Sequence, residues 1–206
     1  MTKLYYNNYV LDISKTIYYP SEDTYLLLDS IKEDLLIIKK DCVAMEVGCG
    51  NSILSLYLYD FVNDLYSVDV NSDVIDYLKN IKKEYSLDKL KILKSDLFKN
   101  IPKDLLFDVI VFNPPYVCSK SLDLLNLEKE DLCTLGGING SEIIFKFLKS
   151  LPNYLNKNGI CYLLVSSQND LKNIYKSIIM LNFKYSIINS KKLFFEELFV
   201  IKIIFN

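Results

Sequence analysis

Seven short runs rich in β-branched and aromatic residues mark out this chain, and the spacing between them changes once, near the C-terminus. The first five are Cys42–Val47, Leu65–Val70, Leu90–Leu93, Phe107–Phe112 and Ile160–Ser166. Each is followed by a segment long enough to bring the chain back to the same end of a sheet, which parallel neighbours require. The last two, Phe183–Asn189 and Leu198–Phe205, have no helix-length segment between them, so they are expected to pair antiparallel. The pattern predicts an α/β fold: a mostly parallel seven-stranded sheet with an antiparallel C-terminal strand pair.

The intervening segments supply the helices. Ser21 follows Pro20 and precedes Glu22 and Asp23, a capping hydroxyl with acids in the first turn. Leu27, Leu28, Ile31, Leu35 and Ile38 then fall on one face of a leading helix. Further helices are expected from about Ser52, over Val74–Tyr85, over Gly140–Leu155 with Asn158-Gly159 as its stop, and over Leu171–Leu181. With 206 residues the chain fits one domain, 1–206, carrying a short N-terminal extension of about residues 1–20.

Composition removes several kinds of chemistry. There is no histidine, which excludes Ser-His and Cys-His nucleophile pairs and every His-ligated metal, and no metal site is expected. The five cysteines (Cys42, Cys49, Cys118, Cys133, Cys161) are odd in number and never spaced Cys-x-x-Cys, so free thiols in a reducing compartment are expected. With 24 basic and 26 acidic residues, the net charge of −2 lacks the excess that non-specific grip on nucleic acid requires. The first twelve residues lack an apolar signal core, and no apolar run approaches the ~18 residues of a membrane span. A cytoplasmic or nuclear protein without membrane contact is expected.

Met45-Glu46-Val47-Gly48-Cys49-Gly50-Asn51-Ser52 reads as a strand, a tight glycine turn and a helix start. Glycines there let the backbone approach a ligand closely. A dinucleotide fingerprint would place a third glycine at position 53, where Ile53 stands, which argues against a pyrophosphate-binding dehydrogenase. Ser52 stands where a Gly-x-Gly-x-Gly loop would end, and its hydroxyl is expected to cap the next helix. Asp69 closes the second strand about twenty residues on, where a carboxylate reaches the two hydroxyls of a ribose. Asp96, after the third strand, could accept a hydrogen bond from an adenine amine; a turn-forming aspartate is the other reading.

Asn113-Pro114-Pro115-Tyr116 follows a buried strand at the ligand-binding edge of such a sheet. Two prolines fix the backbone and remove two amide donors, leaving the carbonyls of Asn113 and Pro114 free to face a cavity. The Asn113 side-chain oxygen is a further acceptor. Acceptors are what a planar NH2 group needs, because its lone pair is delocalised and weakly nucleophilic. Holding both hydrogens orients the nitrogen and raises its electron density. Tyr116 offers a ring on which a flat amide or base can stack. Such catalysis rests on alignment and preorganised dipoles rather than on a general base.

At these residues the chain resembles the eukaryotic and archaeal-type release-factor glutamine methyltransferases, of the HemK-like class I family, also described as adenine-specific DNA methyltransferases. Pro20-Ser21-Glu22-Asp23-Thr24 resembles the family's Pro-x-Glu-Asp-Thr opening, and Leu135-Gly136-Gly137-Ile138-Asn139-Gly140 its Gly-Gly-x-Asn-Gly segment. Glu46 to Ser52, Asp69-Val70-Asn71, Ser95-Asp96-Leu97 and Asn113 to Tyr116 match in order and spacing. The resemblance runs from about Tyr18 to the C-terminus. It implies a Rossmann-like fold and S-adenosylmethionine as cofactor, with Glu46, Val70 and Leu97 beside it. Thr24 would help hold its methionine moiety and Gly48 and Gly50 would pass beneath it. Asp69 would take the ribose, Asp96 the adenine amine, and Asn113 the target amide. The implied substrate is the glutamine of the Gly-Gly-Gln loop of a class-1 translation termination factor. The implied partner is a small zinc-binding activator subunit, for which the short edge strand near Leu90–Leu93 is a candidate dock; Lys89, Lys91 and Lys94 could instead guard that edge.

Three alternatives stay open at this level. The exocyclic amine of adenine in DNA is also a planar NH2 group, but a duplex enzyme must flip its base and neutralise phosphates, which this short, slightly acidic chain is poorly equipped to do. Another protein amine or a small molecule could be the acceptor. A catalytically silent subunit that keeps the fold is the third, and the intact Asp69 and Asn113 to Tyr116 weigh against it.

Overall fold

The computed structural model describes residues 2–34, 41–119 and 134–206. Strands β1 (Thr2–Tyr6) and β2 (Tyr9–Ile13) form an antiparallel hairpin ahead of helix α1 (Glu22–Asp34). Then follow β3 (Val43–Val47), α2 (Ile53–Tyr59), β4 (Asp64–Asp69), α3 (Ser72–Glu84), β5 (Leu90–Lys94) and β6 (Phe107–Phe112). Helix α4 (Glu142–Ser150), β7 (Leu155–Ser166), α5 (Leu171–Met180), β8 (Phe183–Lys192) and β9 (Glu197–Phe205) complete the chain. The seven-stranded sheet has the order β5-β4-β3-β6-β7-β9-β8. Strands β3 to β7 are parallel, and β9 lies antiparallel between β7 and β8, as the loop spacing predicts.

The central strands are buried on both faces, which is why they read as continuous apolar runs. Ala44, Val109, Val111, Tyr162 and Leu164 pack with α1, α2 and the hairpin residues Leu11 and Ile13. Met45, Ile110, Phe112, Cys161 and Leu163 pack with Ile144, Phe147 and Ile174 from α4 and α5. Strand order reverses between β3 and β6, so a crevice opens at the carboxyl ends of those two strands. No helix among the described residues is long and apolar enough to cross a membrane.

Some expectations change. Ser21 does stand at the head of α1, where its carbonyl accepts the first helical bond from Tyr25 N at 3.2 Å. The proposed continuation of that helix through Leu35 and Ile38 lies outside the described residues. The helix expected over Gly140–Leu155 is shorter: α4 ends at Ser150 and a 3-10 turn spans Leu151–Asn153. Pro152 has no N–H with which to continue the ladder. Asn158-Gly159 is not a helix stop. Both residues lie inside β7, where the register against β6 shifts between Phe107 and Val109. A Cβ on Gly159 would sit 2.9 Å from the Phe107 carbonyl, so the glycine serves a bulge with close backbone approach. The N-terminal extension is a hairpin whose inward residues Leu11 and Ile13 join the main core. Its turn carries Asn7 at φ 49°, a conformation that asparagine tolerates.

Candidate active site

A cavity of about 470 Å³ lies at the carboxyl ends of β3, β4 and β6, and all twelve residues singled out from the sequence line it. They divide into two groups on either side of the switch point.

On the first side the glycine loop leaves β3 with a run of left-handed residues: Gly48 (φ 63°), Gly50 (φ 39°) and Ser52 (φ 66°). Serine therefore adopts the conformation that a third glycine would have taken. Its hydroxyl does not cap α2 as expected: it is buried and makes no hydrogen bond. The cap comes from Asn51, whose Oδ1 accepts Ile53 N at 3.1 Å. Asp69, at the end of β4, accepts Gly50 N through Oδ2 (3.1 Å) and Asn71 N through Oδ1 (2.8 Å). Each carboxylate oxygen keeps a second lone pair for a ligand hydroxyl. Burial raises the Asp69 carboxyl above the ordinary range, opposed by those backbone amides. Burial also raises Glu46, to about 8; the Ser55 hydroxyl that donates to its Oε2 opposes the shift and Asp69 adds to it. Val70 stands exposed at the rim, Asp96 is exposed at the far lip, and Leu97 beside it holds φ 51° with its carbonyl accepting from Ser95 Oγ at 2.8 Å.

On the second side the Asn113 amide nitrogen donates to Asp23 Oδ2 at 3.0 Å. A carboxyl oxygen in that place demands a donor, which fixes the rotation of the amide. The opposite atom, Asn113 Oδ1, is buried and has no hydrogen-bond partner. A buried polar atom without a partner is costly, and one that lines a cavity is an acceptor held ready for a ligand. Neither the Asn113 nor the Pro114 carbonyl accepts a turn or loop bond among the described residues, as expected. The Tyr116 carbonyl, in contrast, is taken by Asn169 Nδ2 at 3.0 Å. Burial pushes the Tyr116 phenol well above its ordinary range, with Asp23 and Glu196 adding to the rise, so the ring stays neutral.

The glycines of the Leu135–Gly140 segment have a mechanical reason. A Cβ on Gly136 would meet the Pro115 carbonyl at 2.6 Å, and one on Gly140 the Tyr116 carbonyl at 2.4 Å. The segment lies directly against the backbone of the Asn-Pro-Pro-Tyr turn and is tied to the residue after it by Gly136 N donating to Val117 O at 3.0 Å. The expected loop and short helix over 118–134 fall almost wholly outside the described residues.

Thr24 is buried, and its backbone N (2.6 Å) and hydroxyl (3.3 Å) both donate to Asp23 Oδ1. Tyr18 donates its phenol to the same carboxyl group at 2.9 and 3.0 Å. Asp23 is thus the hub that joins the Glu-Asp-Thr turn to Asn113, ninety residues away. Sequence reading took Asp23 only for a first-turn acid in the family's opening motif and passed over Asn169, because both act across the fold. Their only signal was position: an acid beside a motif residue, and a polar residue at the end of a central strand.

Residues 38–194 match a family model described as a methyltransferase domain. The chain is 32% identical over 192 residues to a Methanocaldococcus jannaschii protein named "Putative protein N5-glutamine methyltransferase", covering 93% of each. It is 27% identical over 165 residues to the human protein named methyltransferase HEMK2, covering 78% of this chain and 76% of that one. Among solved structures it is similar to the Mtq2-Trm112 complex of E. cuniculi, described as responsible for methylation of the eRF1 translation termination factor. That similarity has a TM-score of 0.69 and 25% identity, covering 93% of this chain and 99% of the other. With the glycine loop, the acid after β4 and the Asn-Pro-Pro-Tyr turn in one cavity, this chain belongs to the HemK-like class I methyltransferases.

Proposed function

We propose that this chain uses S-adenosylmethionine to methylate the side-chain amide nitrogen of the glutamine in the Gly-Gly-Gln loop of a class-1 translation termination factor. The observation that carries the reading is the buried, unpartnered Asn113 Oδ1 in a cavity whose other side presents a glycine loop and an acid. The family resemblance and the names of the relatives supply the substrate.

The residues present fit the cofactor. Asp69 has lone pairs left for two ribose hydroxyls, Gly48 and Gly50 keep the floor low, and Asp96 and Leu97 stand where an adenine would end. Glu46 and Thr24 line the part between that floor and Asn113, where the methionine moiety would lie. When bound, S-adenosylmethionine supplies an electrophilic methyl group on a sulfonium centre. The chain supplies alignment. Asn113 Oδ1 and the carbonyls of Asn113 and Pro114 accept hydrogens of the target NH2, which directs its lone pair and raises its nucleophilicity. Asp23 keeps Asn113 Oδ1 turned toward that role. The neutral Tyr116 ring offers a stacking face for the flat amide.

A small zinc-binding activator subunit on the free edge of β5 belongs to the same reading. β5 is the terminal strand of the sheet, and edges of this kind accept another chain. Of the lysines that could guard it, Lys89 is drawn inward, its Nζ donating to the Tyr59 and Val62 carbonyls, while Lys91 and Lys94 stay exposed, tied to Asp64 at 2.8 Å and to Ser72 Oγ at 2.5 Å. The thiols of Cys49, Cys118 and Cys161, free among the described residues, suit a cytoplasmic setting.

The test is transfer of labelled methyl groups by the chain with its activator subunit, offered the termination factor, the factor with its loop Gln changed to Asn, and unmethylated DNA. Label on the wild-type factor alone is expected. Label on DNA alone would overturn the substrate and leave the role of Asn113 standing.

A further inference from the structure

The two most exposed large apolar side chains among the described residues sit side by side. Phe194 is 92% exposed and Phe195 84%, with ring centroids 4.6 Å apart at an edge-to-face angle. They form the tip of the β8–β9 hairpin. Two exposed aromatics held together are what a surface for another molecule presents, whereas scattered single ones need no explanation.

The tip is fixed in place. Leu193 packs into the core beneath it and its N–H donates to the Glu196 carbonyl at 2.8 Å, closing the turn. Gln168 Nε2 donates to the Phe195 carbonyl at 3.2 Å. On the α1 side, Lys191 pairs with Glu22. Because β9 begins opposite the end of β7, the tip lies at the carboxyl edge of the parallel sheet, the same edge as the cavity. A polar chain connects the two. Ser166 Oγ donates to Glu196 Oε2 at 2.5 Å, Ser166 N donates to Asn169 Oδ1 at 2.8 Å, and Asn169 Nδ2 donates to the Tyr116 carbonyl.

Neither phenylalanine lines the cavity. An acceptor small enough to sit inside would never touch them, while a macromolecule presenting one loop to Asn113 would pass over the tip. Its chemistry follows from the neighbours. Aromatic tips also stack nucleobases, but such surfaces come with a basic track for phosphates. Here the flanking charges are mixed: Lys191, paired with Glu22, and the exposed Lys192 precede the tip, and Glu196 and Glu197 follow it, so these neighbours form no basic track. We infer that Phe194 and Phe195 form the docking point for an apolar patch of the protein that carries the target glutamine, outside its loop. This rests on the proposed function and deepens it.

The measurement uses the chain with its activator subunit and compares KM for the intact termination factor with KM for a short peptide carrying only its loop. The variants are F194S/F195S and the conservative F194Y/F195Y. The serine pair is expected to raise KM for the intact factor at least about tenfold. It should leave kcat, the peptide reaction and S-adenosylmethionine affinity unchanged, and the tyrosine pair should restore KM. An unchanged KM for the factor overturns the docking site while the function stands. Equal losses with factor and peptide overturn it as well, since the effect then lies in the fold. Binding of a single-stranded oligonucleotide that the serine pair abolishes would reassign the tip to nucleic acid. A wild-type complex that leaves the factor unlabelled overturns both the function and the dock, and is told apart by that first control.

Discussion

The two sides of the cavity are held by different means. The cofactor side is built mostly from neighbours in sequence: Asp69 binds Asn71 two residues away and Gly50 nineteen away, and Asn51 caps Ile53, with longer ties from Asn71 Nδ2 to the Thr16 carbonyl and from the Tyr77 phenol to the Asn51 carbonyl. The acceptor side is built across the chain. Asp23 holds Asn113 over ninety residues, Asn169 holds Tyr116 over fifty-three, and Gly136 and Gly140 lie against Pro115 and Tyr116. A nucleoside is the same in every reaction, and a short local motif suffices to receive it. A weakly nucleophilic amide must be held in one orientation, and rigid orientation comes from cross-links between distant elements.

This contrast can be broken at its strongest point first. Asn113→Ala removes the unpartnered acceptor and is expected to lower kcat by about 10²–10³-fold or more, in line with loss of a preorganised dipole. S-adenosylmethionine affinity, measured by calorimetry, should change by no more than about tenfold. A variant that keeps most of its turnover would place the acceptor elsewhere.

Asp23→Ala tests whether orientation matters apart from the acceptor itself. It frees the Asn113 amide to rotate and leaves the Tyr18 phenol and Thr24 N–H without their partner. Turnover should fall about 10–100-fold, with a stability loss of ~1–3 kcal/mol from the stranded donors. If thermal unfolding shows the loss and turnover does not, Asp23 is a structural residue only.

Asp69→Ala probes the other side. The loss of charged hydrogen bonds should weaken S-adenosylmethionine by ~1–3 kcal/mol while kcat at saturating cofactor stays within a fewfold. Equal damage to kcat would mean that the two sides are mechanically coupled through Gly50.

The smallest effect concerns Ser52. Its left-handed backbone costs ~1 kcal/mol that glycine would not incur, against ~0.5 kcal/mol of added unfolded-chain freedom. Ser52→Gly should therefore leave Tm unchanged or raise it by a few degrees, without loss of cofactor affinity. A clear fall in Tm would reveal a contact made by the buried hydroxyl.

The same division governs what could be read in advance. The mostly parallel α/β sheet, the antiparallel C-terminal pair, the acid after β4 and the Asn-Pro-Pro-Tyr turn all follow from periodicity, loop length and short motifs, which are local properties of the chain. Misreadings arose where one local signal serves two structures. Asn158-Gly159 reads as a helix stop, but lies in a bulge of β7 because the Phe107 carbonyl comes within reach. Ser52 reads as a cap, but its left-handed backbone leaves that task to Asn51.

By itself the sequence determined the fold class, the family and the residues gathered around the cavity, because those depend on patterns a few residues long. Only the tertiary structure decided which atom of Asn113 is left to accept, that Asp23 turns it, and that Phe194 and Phe195 stand on the same edge as the cavity. Those depend on which distant segments meet. Such meetings are set by the packing of two cores on one sheet, not by the spacing of residues along the chain.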